Sequence, residues 1–148
     1  MLRLMPFLPC LLWAGAAVAQ QPAETLLAAE RALSDASALR GLTDAIPAAL
    51  APQGALLWPG APVVIGAAQA RTLLSAQRVL DSVRLSWQPL AAELSADGSM
   101  GATWGVVAIT RTGAPTRMGR YIAAWIREAG AWKLAAFVAQ GVLPPAAG

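Results

Sequence analysis

An α+β layer fold is predicted, with helices from the N-terminal half covering one face of an antiparallel sheet built by the C-terminal half. Two observations predict it. Apolar residues recur at three- and four-residue steps through Leu26, Ala29, Leu33 and Ala36, then switch to a two-residue period from Val83 onward. Turn signals then separate successive apolar runs: Asp97-Gly98, Gly113-Ala114-Pro115 and Ala129-Gly130. Helices segregated onto one face of an antiparallel sheet bury both apolar surfaces at once.

The first residues are read as a targeting segment. Arg3 precedes an apolar run from Leu4 to Ala19, and Ala17-Val18-Ala19 supplies the small residues of a cleavage site ahead of Gln20-Gln21-Pro22. Pro6 and Pro9 interrupt the run, and it is shorter than the roughly 20 residues of a membrane span. The expectation is a signal peptide over 1–19 and a single domain over 20–148, periplasmic or secreted. Cys10, the one cysteine of the 148 residues, leaves with the leader, so packing alone must hold the exported chain.

Pro22 and Glu24 are expected to open the first helix, and Gly41 to stop it after Arg40. A second short helix runs from Thr43, a plausible cap, to about Leu50. Gly54 to Trp58 and Ala61 to Ile65 read as a hairpin around Pro59-Gly60, and Gly66 to Gln77 as a third helix. The stretch from Ala45 to Ala70 is uncharged, but Pro47, Pro52, Pro59 and Pro62 forbid one continuous spanning helix. Val83, Leu85 and Trp87 alternate with polar residues. Beyond Pro89 the apolar set continues out of phase as Leu90, Ala92 and Leu94, which predicts a β-bulge. Strands over Met100–Arg111, Arg117–Glu128 and Ala131–Gln140 complete the meander before Pro144-Pro145.

Turn geometry predicts the register. Asp97-Gly98 sets Leu90 opposite Gly105 and Ala92 opposite Thr103. Ala129-Gly130 sets Ala123 opposite Ala136 and Tyr121 opposite Val138, and pairing Arg111 with Arg117 puts Gly105 opposite Ala123. One face then carries Trp87, Leu90, Thr103, Gly105, Val107, Tyr121, Ala123, Trp125, Leu134, Ala136 and Val138, and should meet the helices. Gly105, Ala123 and Ala136 form a row of small side chains ringed by aromatics. Either the first helix fills that hollow or it admits a small, largely apolar ligand, lined by Trp58, Trp87, Thr103, Gly105, Tyr121, Ala123 and Trp125. The other face carries Arg84, Gln88, Glu93, Trp104, Arg120, Ile122, Lys133 and Phe137. Its apolar members Trp104, Ile122 and Phe137 suggest a homodimer interface; a solvated face with salt links from Glu93 is the alternative.

Composition narrows the function. The chain is 57% hydrophobic and 13% charged, which excludes a disordered protein, and it has no histidine, which excludes imidazole catalysis and His-ligated metal. Eleven bases against eight acids give +3, without the dense Lys/Arg stripe of a nucleic-acid binder. The acids are scattered singly, so no metal and no cofactor is expected, and no phosphate loop or nucleophile elbow is present. No carboxylate falls at the centre of the helix-facing sheet surface. Glu30 and Asp44 are the acids that can reach in from the helices, and a helical glutamate is more often solvated. No catalytic residue is therefore assigned, and Tyr121 is either a donor to a ligand carbonyl or a core tyrosine.

A set of short motifs carries a resemblance: Ala29-Glu30-Arg31-Ala32-Leu33, Leu50-Ala51-Pro52-Gln53-Gly54, Trp87-Gln88-Pro89, Ser95-Ala96-Asp97-Gly98-Ser99-Met100-Gly101, Gly119-Arg120-Tyr121 with Trp125, and Gly130-Ala131-Trp132-Lys133-Leu134. In this order and spacing they resemble the nuclear transport factor 2-like superfamily, which includes ketosteroid isomerases and SnoaL-like cyclases. The likeness is strongest to its small domains of unknown function. It implies a cone-shaped, curved antiparallel sheet with three N-terminal-half helices on its concave face. Enzymatic relatives place an Asp base in the pocket, often with a Tyr or a second acid. The resemblance thus implies an enzymatic alternative, an isomerase or cyclase using Tyr121 with Glu30 or Asp44. A structural or interaction module with a filled core is the third reading, because the scaffold hosts many functions.

Overall fold

The computed structural model describes residues 15–142, with side chains from residue 23. Most of the expected leader, with Arg3 and Cys10, and the terminal Pro144-Pro145 lie outside the described residues. Helix α1 spans Gly15–Arg40, α2 Leu42–Ala49 and α3 Gly66–Ser75. The strands are β1 Leu50–Leu57, β2 Val64–Ile65, β3 Arg84–Leu94, β4 Met100–Thr110, β5 Arg117–Glu128 and β6 Ala131–Gln140, with a 3₁₀ turn over Arg78–Asp81 ahead of β3. Among the described residues no helix is long and apolar enough to cross a membrane.

The expected α+β layering holds, with three helices packed against one open six-stranded sheet in the order β2-β1-β6-β5-β4-β3. Neighbouring strands are antiparallel except β1 and β6, which run parallel. That exception follows from connectivity: after the β1–β2 hairpin the chain crosses through α3 and the meander before β6 returns beside β1. Helix α1 begins upstream of Pro22 rather than at it, consistent with the helix propensity of the alanine-rich run before the proline. Gly41 ends α1 as expected. Its φ of +88° is a left-handed conformation suited to glycine, and the same residue caps α2, so Thr43 falls inside that helix instead of capping it.

Strand β3 is an edge, and α1 covers it. The Ser34 hydroxyl accepts from the Trp87 backbone N–H at 2.7 Å, and the Ser37 hydroxyl donates to the Leu85 carbonyl at 2.7 Å. Two buried serines one helical turn apart thereby satisfy edge groups that would otherwise invite another strand.

The register differs from expectation in two instructive ways. The β4–β5 loop pairs Ile109 with Arg117, so Gly105 faces Tyr121 instead of Ala123. A shift of two residues leaves every side chain on its expected face. Between β5 and β6 the register slips by one, from Ala124↔Ala136 to Trp125↔Leu134. An odd slip reverses faces beyond it. Phe137, expected on the outer face, is therefore buried among the helix-facing residues, while Ala136 and Val138 turn outward and are half-buried. The β3 bulge is present, between Pro89 and Ala91, but it leaves Leu90 unpaired and 68% exposed rather than facing the helices.

Candidate functional site

Helix α1 presents Leu26, Glu30, Leu33, Ser34 and Ser37 to the sheet, all buried. These positions follow the helical repeat, so Glu30 sits in the apolar stripe. The expectation that it would be solvated is overturned: Glu30 has no exposed surface. Its Oε1 accepts from the Trp87 indole N–H at 2.5 Å, and its Oε2 accepts from the Trp125 indole N–H at 2.8 Å and from the Thr103 hydroxyl. Three donors from three adjacent strands thus converge on one carboxyl group. Burial pushes the Glu30 pKa above its usual value, and the three hydrogen bonds from Thr103, Trp87 and Trp125 offset only part of that rise.

Tyr121, from β5, is buried to 4% exposure, and its hydroxyl has no hydrogen-bond partner. Burial, and secondarily the Glu30 charge, raise its pKa, so the phenol remains a proton donor at any physiological pH; a contact with the Thr103 hydroxyl that falls outside hydrogen-bond geometry offsets part of the rise. Its ring stacks on Phe137, with centroids 6.1 Å apart, and Trp87 packs against both at 5.9 and 5.3 Å. The indole N–H of Trp58, at the end of β1, is also buried without a partner.

The structure therefore unites four of the expected lining residues around Glu30: Trp87, Thr103 and Trp125 bond it, and Tyr121 stands under its charge. It does not unite the small-residue row. Phe137, brought inward by the missed bulge, stands opposite Ala123 where Ala136 was expected. Gly105 borders no open space either, because a Cβ there would lie 2.0 Å from the Gln88 carbonyl oxygen and 3.0 Å from the Tyr121 ring. Asp44 is excluded as an internal base, since it is exposed and forms an ion pair with Arg71. Among the described residues no three His, Cys, Asp or Glu side chains group closely enough to hold a metal ion.

One sequence signal would have found Glu30. It lies four residues after Leu26 and three before Leu33, on the same stripe as two serines, whereas Glu24, Arg31 and Asp35 lie off it.

No protein-family model matches the chain, and no curated protein matches it. Solved structures do. A ketosteroid isomerase-like protein from Erwinia carotovora atroseptica aligns with a TM-score of 0.59 at 16% identity, covering 80% of this chain and 95% of that one. An NTF2-like protein of unknown function from Shewanella oneidensis gives 0.60 at 13%, covering 76% and 93%. A domain of unknown function with a cystatin-like fold from Nostoc punctiforme gives 0.64 at 13%, covering 79% and 77%. The chain has the nuclear transport factor 2-like, ketosteroid-isomerase-like fold. At these identities the likeness concerns fold alone.

Proposed function

We propose that the chain is an exported, non-catalytic domain that binds a small, largely apolar molecule through an acceptor oxygen seated on the Tyr121 hydroxyl, and that it works as a homodimer. The observation that carries this reading is the buried, unpartnered phenol beside a carboxyl that already accepts three hydrogen bonds. A buried donor without a partner costs about 1–3 kcal/mol, and a ligand carbonyl would recover that cost. Glu30 serves as the fixed polar floor, since three of its acceptor positions are already occupied. Export is supported by Arg3, the apolar run to Ala19 and its small-residue end.

Tryptophan fluorescence titrated with a panel of apolar ketones, esters and hydrocarbons tests the binding reading, because Trp87 flanks Tyr121. Ketones or esters are expected to bind at least about tenfold more weakly to Tyr121→Phe than to the wild type, with hydrocarbons unaffected. A panel that produces no saturable response, or equal binding by Tyr121→Phe, contradicts it.

The raised pKa of Glu30 favours one second reading, an isomerase-type enzyme with Glu30 as proton carrier and Tyr121 as donor to a developing oxyanion. Recovery of bound ketone with its α-protons unexchanged in D₂O keeps the binder. Exchange catalysed by the wild type and lost in folded Glu30→Gln establishes the enzyme.

The dimer is supported by the outer sheet face. Trp104 pairs with Ile122 and Ile122 with Val138, giving an apolar row across three strands, with Met118 (60% exposed) along β5. Val138 takes the place expected of Phe137. Sedimentation velocity is expected to give twice the chain mass for the wild type and the single mass for Ile122→Arg; a wild-type monomer at tens of micromolar rules the interface out.

A further inference from the structure

We propose that the open end of the sheet, where β3 begins and β4 ends, holds a binding site for a small anionic group, a phosphate or a carboxylate. A cleft of about 750 Å³ lies there, lined by Asp81, Ser82, Arg84, Thr110, Arg111 and Thr112. Its charges do not cancel internally. Asp81, the one acid in the lining, is paired with Arg78 at 3.6 Å. Arg84 donates to the neighbouring Val83 carbonyl at 3.2 Å, and among the described residues neither Arg84 nor Arg111 has a carboxylate partner. Two exposed guanidinium groups therefore face one cleft with their charge unanswered.

The hydroxyls are not equivalent. Ser82 donates to the Val79 carbonyl at 3.2 Å and Thr110 to the Arg84 carbonyl at 3.3 Å. Thr112 is the lining hydroxyl left to serve a ligand. Two guanidinium forks and one hydroxyl match an anion with several acceptor oxygens, because guanidinium donates in parallel pairs to carboxylate and phosphate. The surrounding field has the same sign. Arg117, paired with Ile109 one residue from this rim, donates to the Gly141 carbonyl at 2.8 Å at the same end, whereas at the opposite end of the sheet Glu93, Asp97 and Glu128 outnumber Arg127 and Lys133. An anion is therefore drawn to the cleft end in preference to the other.

The chemistry is shared by free phosphate and by an anionic lipid headgroup, and two arms of one experiment separate them. Amide chemical shifts are followed as inorganic phosphate is added at constant ionic strength, and co-sedimentation is measured with vesicles of phosphatidylglycerol and phosphatidylcholine. Saturable shifts are expected at residues 81–84 and 110–112, weakened about fivefold or more in the double variant Arg84→Gln/Arg111→Gln and unchanged in Arg127→Gln. Vesicle binding lost in the same double variant, without saturation by phosphate, assigns the site to a headgroup. Amide spectra away from the cleft report whether the variants stay folded. No saturable response in either arm, or equal responses from the double variant and the wild type, overturns the site.

Discussion

Glu30→Ala is expected to cost about 3–5 kcal/mol of folding stability, a large part of a single domain's reserve. The substitution removes a fully buried side chain, leaves the Trp87 indole N–H and the Thr103 hydroxyl without their acceptor, and leaves the Trp125 indole N–H with only its 3.2 Å bond to the Thr103 hydroxyl oxygen among the described residues. Glu30→Gln keeps the volume but turns an amide NH₂ toward donors at one of the two oxygen positions, so a smaller loss of about 1–3 kcal/mol is expected. Urea denaturation followed by tryptophan fluorescence measures both. A loss below about 1 kcal/mol in the alanine variant would mean that the network contributes little.

The same group gives a pH signature with a definite sign. Burial holds the folded-state pKa of Glu30 above the ordinary value of 4.5. Between those two values the folded chain binds more protons than the unfolded chain. The contribution of Glu30 is therefore greatest below pH 4.5 and declines as pH rises through the folded-state pKa. Asp97 acts in the opposite direction. Hydrogen bonds from Ser95 and Ser99 at the β3–β4 turn pull its pKa from 3.8 to about 2, so its contribution is present above pH 3.8 and is lost on acidification toward 2. Measured from pH 4.5 upward, the wild type should lose stability relative to Glu30→Gln. A constant difference across that range contradicts the assignment.

Gly105→Ala is the second large effect expected, about 3 kcal/mol of destabilisation from overpacking. The added methyl would sit 2.0 Å from the Gln88 carbonyl oxygen, a backbone atom that moves only if β3 moves with it, and 3.0 Å from the Tyr121 ring. Because Gln88 precedes the bulge after Pro89, the strain falls where β3 is already irregular. Thermal unfolding checks it. An alanine variant as stable as the wild type would show that position 105 borders open space.

These two sites also show how far the sequence alone can be read. The strands, the α1 stop at Gly41 and the β3 bulge follow from local signals: a two-residue period, a glycine tolerant of positive φ, and a phase slip at proline. The faces of β4 and β5 followed too, and that of β3 except at Leu90, since the one loop misjudged there shifted the register by two. The β6 face did not follow. Ala135-Ala136 carries no phase signal for the bulge it hosts, because alanine fits either environment, and Phe137 was consequently placed on the wrong side. Glu30 was undervalued for a different reason. A glutamate is costly to bury unless donors await it, and those donors come from residues 57, 73 and 95 positions away. Only the assembled sheet brings Trp87, Thr103 and Trp125 to one point.

A crystal structure of the protein soaked with an apolar ketone tests the binding assignment most directly. The ketone oxygen should lie within hydrogen-bonding distance of the Tyr121 hydroxyl, with the Glu30 carboxyl still held by both indoles. A map with the ketone elsewhere, or with the phenol bonded to a side chain of the protein itself, would contradict it.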